Sequence, residues 1–339
     1  MWRWLATRLG WLLVTLLGVT FVTFLVLDLA PVDRAELEAT QATAAGSYPD
    51  RAARQLAVEQ LRVRYGMVDP VTREPLPLWR RYAGWLGNAL TLRLAGPGED
   101  DAALWRRLGE ALPVTALLGG LGLLLAFGVG LPLGVWLGRR VGAPAERAVS
   151  AAMLVAVGLP EFLLATLLLL AFSVAWLQWL PASGLRSNGA EQWGLVRQLL
   201  DFAWHLLLPV TVLALGPVVL VTRFVRDAVA RASAAPFVTS LVALGVEPDE
   251  LRRRLLRHGA TPAATLVGSL LPMLVGGSIV VESMFALDGL GRIAFQAVRG
   301  QDQAMVMALV LLTSAVTLVA LLVSDLMHRV VDPRVRLAG

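Results

Sequence analysis

Long apolar stretches separated by arginine-bearing breaks dominate the chain. A helix needs roughly 20 residues to cross about 30 Å of hydrocarbon. Six stretches reach that length: Leu9 to Leu29, Leu112 to Leu137, Val149 to Trp176, Trp204 to Thr222, Pro262 to Val281 and Ala304 to Val323. Each is predicted as a transmembrane helix, because in lipid a helix satisfies its backbone groups within one segment. Glu161 interrupts the third and Pro272 the fifth. The first follows Arg3 and Arg8, as a signal peptide would. Its run exceeds the usual apolar region of about 7 to 15 residues, so an uncleaved anchor is expected.

Between the first two spans lies the one sizeable extramembrane segment, residues 31–110. The apolar positions of Ala52 to Tyr65 recur near helical spacing and predict an amphipathic helix. Pro70, Pro75 and Pro77 then break the chain before a second helix over Leu78 to Leu90, and Gly96 to Asp101 reads as a loop. This segment is either a passive cap over the bundle or a contact surface for a partner. The expected organisation is an all-α integral membrane protein with an N-terminal helix (1–30), the extracytoplasmic segment (31–110) and a five-helix core (111–339). A cytoplasmic loop over about 223–261 joins helices four and five.

Composition agrees with a membrane class. Of 339 residues 57% are hydrophobic and 16% charged, and the mean hydropathy is +0.67. There is no cysteine for a disulfide or a thiolate metal site. All 30 basic residues are arginines, so a Walker A loop, which needs lysine, is excluded and the chain has no ATP-hydrolysing site of that type. His205, His258 and His328 are too scattered to suggest a metal centre.

The net charge of +5 resolves by position. With a cytoplasmic N-terminus, the inner side carries 15 arginines, from Arg3 and Arg8 through Arg139, Arg140, Arg147, Arg223, Arg226 and Arg231 to Arg252 to Arg254, Arg257, Arg329, Arg334 and Arg336. Six acids accompany them: Glu146, Asp227, Glu247, Asp249, Glu250 and Asp332. The outer segments hold the other 15 arginines, accompanied by 15 acids. Of those arginines 11 lie in the long segment 31–110, which the positive-inside rule does not count strictly. This bias predicts both termini inside, with arginine against anionic lipid and no nucleic-acid partner.

The terminal third carries the most specific pattern. Val280, Val281, Glu282, Ser283 and Phe285 are followed by Gly289 to Arg292 (GLGR), an apolar span, Asp325, and a tail with Asp332, Pro333, Arg334 and Arg336. In order and spacing this resembles the permease subunits of dipeptide and oligopeptide ABC importers. The resemblance extends to LAP after the first helix, Tyr65 to Pro70, Tyr82 to Asn88, LPLG at Leu131 to Gly134, GLPEF at Gly158 to Phe162, WLPASG at Trp179 to Gly184, His205 to Pro209 and Thr222 to Ala230. It covers essentially the whole chain.

The resemblance implies a multi-pass subunit of the bacterial inner membrane that forms a translocation path with a second, homologous permease. Two ATPase subunits would hold ATP and Mg, an extracytoplasmic binding protein would deliver a peptide, and this chain would hold no cofactor. Nickel chelates or oligosaccharides are the alternative cargo. A membrane scaffold or an embedded enzyme is the alternative class, for which no paired metal motif or nucleophile arrangement is present.

The family's ATPase-coupling helix carries a glutamate-alanine-alanine-x-x-x-glycine motif. Gly245 matches its glycine, while Thr239, Ser240 and Leu241 replace the acid and the alanines. Such a turn needs a glycine that accepts positive φ. Phe237, Val238, Leu241 and Leu244 would fill the ATPase groove. The residues alone equally suit an amphipathic helix lying on anionic lipid.

Four carboxylates fall within or beside the spans: Asp28, Glu161, Glu282 and Asp325. Asp28 and Asp325 lie near helix ends and suit pairing with arginine. Glu161, read as mid-helix beside Pro160, would be costly in lipid and points either to a hydrated path or to a buried pair. The resemblance places Glu282 at the outer end of helix five, shaping the outer gate or packing helices.

Overall fold

In the computed structural model of the chain, the described residues are 2–29, 34–44, 50–95, 100–247, 250, 266, 270 and 279–331. Among the described residues all regular elements are helices, and the β-type pairing is one isolated bridge between Val68 and Pro75. Among the described residues four helices are long and apolar enough to cross a membrane, and a sharply bent helix pair makes a fifth crossing if it counts as one span. The predicted span Pro262 to Val281 lies outside the described residues except for Leu266, Leu270 and its last three positions.

Two compact units divide the chain. The first comprises Met1–Gly109 with Ala294–Ala315. In it, α1 (Trp2–Asp28) is followed by α2 (Arg34–Ala44), α3 (Arg51–Arg64) and α4 (Leu78–Leu90). Helix α3 starts where its cap dictates: Asp50 accepts the Ala53 N–H at 2.7 Å. Helix α2 packs on it through Ala35 and Ala39 against Leu61, and the Tyr65 hydroxyl donates to Glu38. Asp69 then closes the turn between α3 and α4. It accepts the backbone N–H groups of Thr72 (3.0 Å) and Val71 (2.8 Å), and these hold its carboxyl below the usual aspartate range. The lowered value keeps this turn closed at neutral pH and releases it only as pH falls through the depressed pKa.

The Tyr82 to Asn88 stretch acquires a physical meaning here. Tyr82 stacks on Trp85, meets Phe21 and Phe24 of α1 edge-on, and shares a 2.9 Å hydroxyl bond with Thr20. Arg81, next to Tyr82, pairs with Asp28, one turn beyond Phe24 on α1, so this carboxylate at the end of α1 has the arginine partner its position suggested.

The second unit comprises Glu110–Ile293 with Val316–Gly339. Its long helices are α5 (Asp101–Gly138), which begins within the first unit, and α8 (Leu195–Ser233), with α6 (Pro144–Gly158) and α7 (Glu161–Leu169) between them. At 1.5 Å per residue α5 and α8 each extend nearly 60 Å, about twice the hydrocarbon thickness. The predicted spans Leu112 to Leu137 and Trp204 to Thr222 are therefore only their lipid-length parts. Helix α6 begins with Pro144 at its first turn, after Gly142 at φ +84°.

The predicted third span is not one continuous helix. Leu159, which precedes Pro160, is extended (φ −78°, ψ 132°), and α6 and α7 meet at 102°. The proline clashes with an α-helical conformation in the residue before it, which forces the break. Beyond α7 the helix widens into a π turn over Leu170–Val174. Four further named helices follow among the described residues: α9 (Pro236–Ala243), α10 (Ile279–Met284), α11 (Leu290–Arg299) and α12 (Gln303–Val331). The last is capped by Asp302, which accepts the Met305 N–H at 2.9 Å.

Candidate functional site

Glu282 and the GLGR turn form one buried assembly. The Glu282 side chain on α10 belongs to a residue with 0% exposure. One of its oxygens accepts the Thr115 hydroxyl of α5 at 2.8 Å, and the other accepts the Arg292 backbone N–H at 3.0 Å. The same Thr115 oxygen accepts the Leu290 N–H at 2.8 Å, so the start of α11 is tied to α5 and α10 at once. A Cβ on Gly289 would stand 2.5 Å from the Glu282 carboxyl carbon and 2.7 Å from Thr115 Oγ1, and one on Gly291 would stand 3.0 Å from Glu282 Oε2 and from the Ile279 backbone. Both glycines are required because the backbone wraps the carboxylate this closely. Arg292 finishes the turn, donating to the Ala286 carbonyl at 2.9 Å and to Asp288 at 2.7 Å. Ala286 takes φ +51°, a conformation that bond helps to hold.

The WLPASG stretch joins the same assembly. Gly184, at φ +79°, donates its N–H to the Phe285 carbonyl at 2.8 Å, and the Trp179 carbonyl accepts Trp204 Nε1 at 3.0 Å. Ser187 is fixed by Asp201, which accepts its N–H at 2.8 Å and its hydroxyl at 2.6 Å, with His205 one turn along α8. His205 is thus a buried positioning residue of that turn. Motifs scattered over a hundred residues of sequence meet at one end of the second unit.

Pro160 and Glu161 stand at the break between α6 and α7. Glu161, expected mid-helix, is the first residue of α7, with Pro160 as the cap residue. A carboxylate on the first residue of a helix lies at the positive end of the helix dipole, which lowers the cost that a mid-helix charge would carry. Its side chain is half-buried, and that of Asp325, near the end of α12, is half-buried too.

Helix α9 lies where the coupling segment was expected. Gly245 follows it at φ +75°, the positive-φ turn that the motif requires, and Leu244 before it is 79% exposed. Val238 departs from expectation. It is 8% exposed and packs among Ala126 and Val135 of α5 and Val221, Val225 and Val229 of α8. Val238 therefore anchors α9 inward and does not offer itself to a partner's groove. The reason is helical phase: at about 100° per residue, Leu244 lies six positions on and points to a different face. The side chains of Phe237 and Leu241, and the residues Asp332, Pro333 and Arg334, lie outside the described set.

Two features escaped the sequence reading. Gly130, Gly134 and Gly138 recur every fourth residue along α5, and each faces α8. A Cβ would stand 2.9 Å from Val221 at the first, 2.7 Å from the Thr222 carbonyl at the second and 2.6 Å from the Arg226 carbonyl at the third. This small-residue stripe lets two helix backbones approach closely, and its four-residue spacing was a readable signal. The second is an ion pair: Glu146, 3% exposed at the start of α6, accepts Arg226 Nη2 at 2.8 Å and Nε at 3.1 Å. Eighty residues separate the two, and nothing local in the sequence links them.

Comparison with known proteins points one way. A family model described as binding-protein-dependent transport system inner membrane component matches residues 130–337. The chain is 26% identical over 328 residues to the oligopeptide transport system permease protein AppB of Bacillus subtilis, covering 94% of this chain and 95% of that one. It is also 26% identical over 337 residues to the dipeptide transport system permease protein DppB of Lactococcus lactis subsp. cremoris, covering 99% of each.

Proposed function

This chain belongs to the family of binding-protein-dependent transport system inner membrane components, and on that premise we propose that it is a permease subunit of an ATP-driven peptide importer. The full-length likeness to two peptide permeases carries the cargo class. Six spans and both termini in the cytoplasm follow from the apolar stretches and the arginine bias, and a place in a bacterial inner membrane follows from the family. A second homologous permease completes the path. Two ATPase subunits hold ATP and Mg, and an extracytoplasmic binding protein delivers the peptide.

The residues divide the work. The Glu282 assembly fixes the outer end of the second unit, where it shapes the gate facing the binding protein. Pro160 and Glu161, at the α6 and α7 break, line the path, with the helix N-terminus making a charged group affordable there. At the cytoplasmic side the exposed Leu244 enters the ATPase groove, Gly245 ends the docking helix, and Val238 transmits its motion into the bundle. ATP-driven closure of the ATPase pair draws the docking helices together and switches the side on which the cavity opens.

Orientation is testable because the chain has no cysteine. A cysteine at Val71 should react with an impermeant thiol reagent in intact cells, and one at the exposed Val141, in the turn between α5 and α6, only after permeabilisation. Labelling of position 141 from outside would overturn the topology. Coupling is tested on the complex purified through a tag on this chain from its own membranes. Leu244→Asp should leave the protein in the membrane but remove the stimulation of ATP hydrolysis by loaded binding protein. Full stimulation in that variant would refute the docking role of α9.

A further inference from the structure

Helix α8 runs to Ser233 and passes through a two-residue turn into α9, where Val238 locks onto Val225 and Val229 of α8. Any movement imposed on α9 therefore reaches the last turns of α8. At that level Arg226 projects from α8 to Glu146 on α6. The nearly sealed Glu146 carboxylate is held from three directions: by the guanidinium, by the Ser150 hydroxyl at 3.0 Å and by the Gly142 N–H at 3.3 Å in the turn between α5 and α6. Charge-assisted bonds of this kind are the strong ones. The other end of α6 is the 102° elbow at Pro160. A stiff path thus leads from α9 through Arg226 and Glu146 along α6 to the elbow.

We propose that Glu146 is a positioning residue of the transport cycle: its bond to Arg226 carries the displacement of the docking helix into α6 and moves the α6 and α7 elbow. This rests on the importer reading above. Glu146→Gln is the suitable probe, because Arg226 keeps Asp227 at 2.7 Å as a second partner and no cation is stranded.

The test uses the complex purified from its own membranes, placed in nanodiscs for fluorescence and in sealed vesicles for uptake. An environment-sensitive fluorophore sits on a single cysteine at Phe162, at the elbow, or at Arg231, at the end of α8. In the otherwise unaltered chain, ATP with vanadate should change the emission at both sites. In Glu146→Gln the signal at 231 should persist while that at 162 is lost, and peptide uptake per ATP should fall about tenfold, a usual size of coupling between sites. Glu146→Asp keeps the charge and should restore most of the response at 162. Retention of both signals with normal uptake would overturn the proposal, since the pair would then be structural only. Loss of both would overturn it as well, since Glu146 would then act on docking. Silence at both sites in the unaltered chain would overturn the importer reading itself.

Discussion

Leucine at Gly134 should prevent the second unit from folding, and alanine there should lower stability by about 1 to 3 kcal/mol, the usual range for overpacking. The alanine Cβ would meet the Thr222 carbonyl and the Val225 Cβ, each at 2.7 Å. Neither atom is the free end of a flexible side chain, so α8 itself must move away. Gly128 on the same helix supplies the control, because a Cβ there meets nothing within 4 Å. Alanine at Gly128 should be neutral or stabilising by up to about 1 kcal/mol, as expected for glycine to alanine within a helix. Thermal unfolding of the two variants in detergent separates them. Equal melting temperatures would mean that α5 does not approach α8 through this stripe.

Glu282→Ala should be comparably damaging. It leaves the Thr115 hydroxyl and the Arg292 N–H without their acceptor, and unpaired buried donors cost about 1 to 3 kcal/mol each. Glu282→Gln should fall between: its carbonyl oxygen can keep Thr115, but its amide presents a donor to the Arg292 N–H. The readout beyond melting temperature is local. Limited proteolysis should cut the Ala286 to Ile293 stretch in the alanine variant well before the rest of the chain. Native resistance in Glu282→Ala would show that the GLGR turn does not depend on the carboxylate.

Periodicity made parts of this architecture readable. Helix α4 has the bounds that its flanking proline and apolar run indicated, and α3 differs by one residue at each end, because caps and prolines act locally. Hydropathy marked the lipid-length part of each long helix but not its length, since the polar extensions of α5 and α8 remain helical beyond the apolar window. The short, alanine-rich α2 gave no period strong enough to detect. At the third span the signal was present in Leu159 and Pro160, yet an apolar count cannot register a bend in the backbone.

The site was legible to a similar degree. Gly289, Gly291, Arg292 and Glu282 were singled out by resemblance, and the structure supplies their reason in one buried carboxylate. Gly245 was singled out by its match to the glycine of the coupling motif, and it takes the positive φ that such a turn needs. Val238 was misplaced because an apolar residue on a short helix can face a partner or the core, and only the packing of α5 and α8 decides which. The Glu146 and Arg226 pair depends on a tertiary approach that no local pattern encodes.

The most direct measurement is uptake by vesicles containing the complex purified through a tag on this chain, with ATP and Mg enclosed on the ATPase side and binding protein supplied opposite. The account predicts accumulation of labelled peptide that requires ATP and binding protein, and its loss in Leu244→Asp. Accumulation without ATP, undiminished uptake by Leu244→Asp, or no peptide uptake by an intact and ATP-hydrolysing complex would contradict it.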